Sequence, residues 1–159
     1  RTGTLFPYTT LFRSMGAAGM AAILPGGLKV ANLVFDIHTL LYCAASMVMG
    51  TQLTLFGVLA RVAGVRSGLL PVNPFTDWAL TKFRLEVALL VALILLLASA
   101  SMVLTSWLSW QDVNYSGLEP RQVMRQAIPA VALGLMSMEL AGFSFFLTFL
   151  QFNHVVEKK

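Results

Sequence analysis

Three long stretches of this chain carry almost no charge, and nothing else about it restricts the possible folds so much. The first, IHTLLYCAASMVMGTQLTLFGVLA over 37–60, contains no Asp, Glu, Lys or Arg. VALLVALILLLASASMVLTSWLSW over 87–110 is equally uncharged, and AIPAVALGLMSMELAGFSFFLTFLQF over 127–152 has Glu139 as its one charge. A bilayer's hydrocarbon core is about 30 Å thick and takes about 20 apolar residues to cross as a helix. Backbone in lipid must satisfy its own hydrogen bonds, so all three predict transmembrane helices. Composition agrees: charged residues are 11% of the 159, against about 25% in soluble domains, and mean hydropathy is +0.77.

The ends of the chain fit this frame less well. MGAAGMAAIL, followed by Pro25-Gly26-Gly27, spans only about 15 Å as a helix, so 15–26 predicts the second half of a truncated transmembrane helix. RTGTLFPYTTLFRS before it lacks the apolar core of a secretory signal, since Thr9, Thr10 and Arg13 interrupt it. It resembles translated adapter sequence, and 1–14 is set aside as a non-native leader. The fold expected is all-α, a polytopic bundle of three full transmembrane helices plus the truncated one.

Basic residues orient the bundle, because short cytoplasmic loops carry the excess of Lys and Arg. Arg61, Arg66, Lys82 and Arg84 in the 61–86 loop, with Lys158 and Lys159 in the 153–159 tail, make six on one side; Lys29, Arg121 and Arg125 make three on the other. The loop and the C-terminus are therefore expected in the cytoplasm. Segment 111–126 becomes an external loop with a short interfacial turn, where Ser116 and Glu119 have capping-box spacing and Pro120 suits a first turn. Pro129 is expected to kink the last helix, and Trp107 and Trp110 to mark a membrane interface.

Side chains able to do chemistry are few. No phosphate-binding Gly loop occurs, and Asp36, Asp77 and Asp112 include no D-x-D pair. His38 and His154 lack metal-ligand spacing, so neither a metal site nor a complete catalytic centre is expected. The net charge of +4 is scattered over short loops, which argues against a nucleic-acid partner. Cys43 lies in an apolar run and reads as a small packed side chain.

Two polar groups admit both a functional and a structural reading. Arg61, Arg66, Lys82 and Arg84, with Glu86 behind them, could hold a lipid phosphate through bidentate and point-charge donors, or merely set topology at an anionic surface. Glu139 could serve a proton relay, or stand as a neutral acid hydrogen-bonded to Gln52, Thr54 or Ser137. Asp36, beside His38 in FDIHTL, could belong to an external polar site but reads first as a helix cap. Phe145, Phe149 and Phe152 form a packing or lipid-facing stripe, and Gly50 and Gly57 a small-residue seam.

The order DIHTLLY, GTQLTLFGVLAR, GLLPVNP, Leu85-Glu86, LEP, IPAVALGL and FSFFLTFL resembles the C-terminal membrane region of bacterial family 2 glycosyltransferases, in the polyprenyl- or dolichyl-phosphate sugar transferase branch, over 15–152. That resemblance implies a bacterial inner-membrane protein whose parent transfers a sugar from a nucleotide sugar to polyprenyl phosphate. It implies a separate N-terminal catalytic domain holding Mg2+ or Mn2+, with no cofactor or catalysis in this fragment itself. Asp36, His38 and Thr39 match its D-x-H-T step, Gly50 and Gln52 its G-x-Q step, and Glu86 its acidic residue after the loop. Leu-Glu-Val-Ala stands where Leu-Glu-Arg-Gly is expected, and Glu139 where Gln is expected. Other readings of the residues are a small transporter or flippase using Glu139 and His38, and a non-enzymatic membrane scaffold starting at Met15.

Overall fold

The computed structural model describes residues 7–26, 28–30, 33–112 and 120–157. Its elements are α1 (Pro7–Ile23), β1 (Leu28–Val30), β2 (Leu33–Phe35), α2 (Ile37–Arg66), α3 (Pro74–Thr81), α4 (Leu85–Asp112) and α5 (Pro120–Glu157). The helical bundle is as expected: α2, α4 and α5 are each long and apolar enough to cross a membrane. One feature departs from all-α, a two-stranded antiparallel ribbon pairing Leu28 with Phe35 and Val30 with Leu33. Three residues per strand are too few for an alternating pattern to register in the sequence.

Each of the three membrane-length helices outruns its apolar segment. At 1.5 Å per residue, the 30 residues of α2 measure about 45 Å, so it carries Arg61 and Arg66 inside its last turns rather than in a loop. α4 begins at Leu85 and ends at Asp112, two residues beyond the apolar run at each end. α5 begins at Pro120, so its first turns occupy what sequence assigns to the external loop, and it stays helical through Pro129. The expected capping box at Ser116 and Glu119 lies outside the described residues.

α1 starts at Pro7 and takes in residues set aside as leader. A Cβ on Gly50 would stand 2.8 Å from the Arg13 nitrogen and 3.0 Å from the Thr9 carbonyl oxygen, and one on Gly16 2.6 Å from the Cys43 carbonyl oxygen. Glycine at both positions lets the α1 and α2 backbones approach, as small residues do in membrane helix pairs. Contacts running from Arg13 with Gly50 to Gly19 with Cys43 make the two helices antiparallel.

α4 and α5 form a second antiparallel pair. Ser99 Oγ donates to the Ala130 carbonyl at 2.7 Å and Ser137 Oγ to the Ala92 carbonyl at 2.8 Å. Ala88, Ala92, Ser99, Ala130 and Ser137 are all buried, whereas Leu90, Leu97 and Leu104 face outward, 58%, 60% and 58% exposed. Outward leucines and an inward small-residue seam suit lipid as solvent. Phe145 and Phe149 also face outward, as a lipid-facing stripe requires; the Phe152 side chain lies outside the described residues.

α2 and α5 run parallel and join the two pairs. Ile23, Leu40, Ala44, Met47, Ile128 and Ala132 form a core near the start of α2, with partly buried Cys43 packed against it as an apolar side chain. Val62, Ala79 and Leu147 form another core at the far end, where α3 docks. α2 stops in a glycine-terminated cap: Gly68 has φ +71°, its N–H reaches the Val65 carbonyl at 3.2 Å, and the Leu69 N–H reaches that of Gly64 at 3.0 Å. A Cβ disfavours that left-handed conformation. α3 then starts on Pro74, with the Asn73 N–H donating to the buried Thr76 hydroxyl at 2.9 Å.

Candidate functional site

The two ends of the bundle carry different polar groups. At the α3 end stand the last turns of α2 with Arg61 and Arg66, the residue closing α3, Lys82, and the residue before α4, Arg84. Lys82 and Arg84 are exposed, while Arg61 and Arg66 are half-buried. The Arg61 Nε is buried with no hydrogen-bond partner. An unpaired guanidinium donor costs more than an exposed one, because its lost hydration is not replaced. Glu86 is exposed in the first turn of α4, where a carboxylate complements the helix N-terminus.

Gln151 also belongs to this end, and sequence reasoning missed it. Its amide Nε2 donates to the Ala79 carbonyl at 2.8 Å, tying the last turn of α3 to α5. The edge-on contact of Phe83 with Phe143, centroids 6.0 Å apart, fixes the chain just before Arg84. Only a knowledge of which helices meet could have identified either residue.

At the opposite end, Asp36 has a role other than the expected cap. It precedes α2 but makes no side-chain capping hydrogen bond. Its Oδ1 instead accepts from Arg125 Nη2 at 2.9 Å, and its Oδ2 lies 3.7 Å from Arg121 Nε. The Arg125 hydrogen bond, followed by the charges of Arg121 and Arg125, holds the Asp36 carboxyl below its ordinary value against a partial opposing effect of burial. A guanidinium offers the carboxylate stronger, charge-assisted donors than backbone amides do. His38, two residues further on, is exposed.

Glu139 lies midway along α5, and its Oε2 is buried without a hydrogen-bond partner. The partners expected for it are engaged elsewhere or face away. Thr54 donates to the Gly50 carbonyl, Ser137 to that of Ala92, and Gln52 is exposed. Each hydroxyl satisfies itself on a backbone carbonyl within reach, as Ser and Thr in membrane helices commonly do.

The structure thus gathers Arg61, Arg66, Lys82, Arg84 and Glu86 at one end and Asp36 and His38 at the other, with Gln52 and Glu139 in the membrane-spanning segments between. Among the described residues no three His, Cys, Asp or Glu side chains come together as metal ligands.

Residues 58–151 match a family model described as the glycosyltransferase family 2 C-terminal transmembrane region. The match takes in the entire basic end and Glu139, and leaves out Asp36, His38 and Gln52. No curated protein and no solved structure gives a significant match.

Proposed function

Because the chain belongs to the glycosyltransferase family 2 C-terminal transmembrane region family, we propose that it is the membrane anchor and lipid-acceptor-side module of a membrane-bound glycosyltransferase. The reaction proposed is transfer of a sugar from a nucleotide sugar to polyprenyl phosphate. Residues of the described chain do not fit a divalent cation; on this reading Mg2+ or Mn2+ belongs, with the nucleotide sugar, to a separate N-terminal catalytic domain. This chain's part is to hold that domain at the membrane and to receive the acceptor's phosphate.

The observation that carries the lipid-phosphate role is the buried, unpartnered Arg61 Nε at an end that also bears Arg66, Lys82 and Arg84. A phosphate oxygen would satisfy that donor, while the exposed Lys82 and Arg84 supply attraction from the interface. The excess of six basic residues over three favours a cytoplasmic position for this end and for the C-terminus, and the family resemblance favours a bacterial inner membrane.

The test begins with the source DNA upstream of the Met15 codon, where an open frame encoding an α/β domain with paired aspartates is expected. The complete frame, expressed in membranes with radiolabelled nucleotide sugars and polyprenyl phosphate, should yield labelled lipid. Arg61→Gln should lower the yield at least fivefold. A promoter directly before Met15, or an inserted full-length protein that labels no lipid with any donor, would overturn the proposal.

Glu139 favours a second reading, a small transporter or flippase, because its Oε2 stands buried without a partner inside a membrane span. Proton-coupled flux in liposomes that Glu139→Gln abolishes would support it; flux insensitive to that change would refute it.

A further inference from the structure

A groove of about 420 Å³ runs between α2 and α5 near the Asp36 end. Its floor is made of buried Ala44, Ile128 and Ala132, and its rims include outward-facing Leu41, Met49 and Val131. No polar side chain lines it. Alanines in the floor explain the concavity: both helices are narrow where they meet, and the larger side chains stand to either side.

The groove has a depth and a polar mouth. Along α5 it extends from Met124 to Leu135, about 16 Å at 1.5 Å per residue, which is roughly half the hydrocarbon core of a bilayer. Arg121, Met124, Ile128, Val131 and Leu135 recur at three- and four-residue intervals and share one face of α5. His38, Leu41, Ala45 and Val48 do the same on α2. The mouth is thus marked by a basic and a polar side chain on the same faces as the apolar walls. Arg125 is engaged by Asp36 at 2.9 Å, whereas Arg121 reaches that carboxylate only at 3.7 Å and its side chain is 76% exposed. Among the described residues two guanidinium groups share one carboxylate, which leaves a positive charge there.

We propose that this groove holds one acyl chain of an anionic phospholipid from the leaflet on the Asp36 side, with the lipid phosphate on Arg121. Leaflet depth favours a lipid tail over a partner helix, which would need an apolar face along the whole span. The excess cation favours an anionic headgroup over a zwitterionic one. This site lies at the other end of the bundle from Arg61, and its α2 wall lies outside residues 58–151 of the family match. It stands whether or not the chain serves a transferase.

The test uses the full chain in nanodiscs of phosphatidylcholine mixed with phosphatidylglycerol, released into native mass spectrometry to count retained lipids. The expected result is one phosphatidylglycerol retained about fivefold over phosphatidylcholine, the equivalent of about 1 kcal/mol for one basic residue at the surface. Arg121→Gln, an exposed change that leaves both cores intact, should bring the ratio to parity. Val131→Phe, which fills the groove from its exposed rim, should lower retention of both lipids. Equal retention by the unaltered chain, or a preference that survives Arg121→Gln, would overturn the proposal. So would displacement by the soluble headgroup glycerophosphoglycerol alone, which would make the tail irrelevant. Disulfide-linked dimers of Val131→Cys in the same membranes would show a second copy occupying the groove and equally overturn it.

Discussion

Arg125 Nη2 donates to Asp36 Oδ1 across 2.9 Å, joining the first turns of α5 to the residue before α2, 89 positions away in sequence. The pair fixes the parallel register of α2 and α5 at one end, as Val62 against Leu147 does at the other.

Acid should release that register. Asp36 is held below its ordinary value of 3.8, first by the Arg125 hydrogen bond. Its contribution to stability is therefore complete above that value and is lost as pH falls through the lower, folded-state value. Amide protection at the start of α5, measured as exchange relative to the intrinsic rate at each pH between about pH 5 and pH 2.5, should fall toward the acid end. Arg125→Met should remove much of this dependence; unchanged exchange profiles in the two proteins would contradict the assignment.

The glycine contacts predict a contrast in tolerance. Gly50→Ala places a Cβ 2.8 Å from the Arg13 backbone nitrogen, while one at Gly142 meets nothing within 4 Å. Overpacking against backbone should cost Gly50→Ala about 1–3 kcal/mol, lowering the thermal midpoint in detergent. Gly142→Ala should match or exceed the parent protein through helix propensity of up to about 1 kcal/mol.

The α4 and α5 pair depends partly on two hydroxyls. Replacing Ser99 and Ser137 by alanine removes both of the bonds they make to Ala130 and Ala92. At about 0.6 kcal/mol for an interhelical hydrogen bond in a membrane protein, the double variant should lose about 1 kcal/mol by reversible unfolding in mixed micelles. A loss of several kcal/mol would mean that the serines do more than bridge the helices.

Gln151→Leu should free α3 without unfolding the bundle. The change deletes the 2.8 Å bond to the Ala79 carbonyl, worth about 1 kcal/mol. Exchange of the 75–81 amides should rise about fivefold while α4 amides hold, and equal protection of α3 in both proteins would show that packing alone docks it.

What could be read from the sequence follows from the range of the forces involved. The spans of α2, α4 and α5 were legible because lipid imposes a length and a polarity on every residue locally. Helix ends were not, because a helix continues past the hydrocarbon as long as its hydrogen bonds permit, and α2 does so through Arg66. That Phe145 and Phe149 share one face and that Gly50 suits a close helix contact is legible from helical spacing and residue size, but that the face points outward and that α1 makes the contact is not. Asp36 reads as a cap in the sequence because its own helix start is local and visible there, whereas Arg125 is 89 positions away. Polar residues in the same membrane segments suggest partners for Glu139, yet the Thr54 and Ser137 hydroxyls donate to backbone carbonyls instead. Gln151 and the apolar groove depend on which helices meet, and hydropathy is silent on that.

Two antiparallel hairpins, α1 with α2 and α4 with α5, meet chiefly where α2 runs alongside α5. For biosynthesis this means that the α4–α5 hairpin can enter the bilayer as one unit, its backbone and its small-residue contacts already satisfied, and dock against α2 afterwards. Docking is then a separate, later event. A chain severed between Lys82 and Arg84 should reassemble when both pieces are co-expressed, the second half finding the first through the same seam.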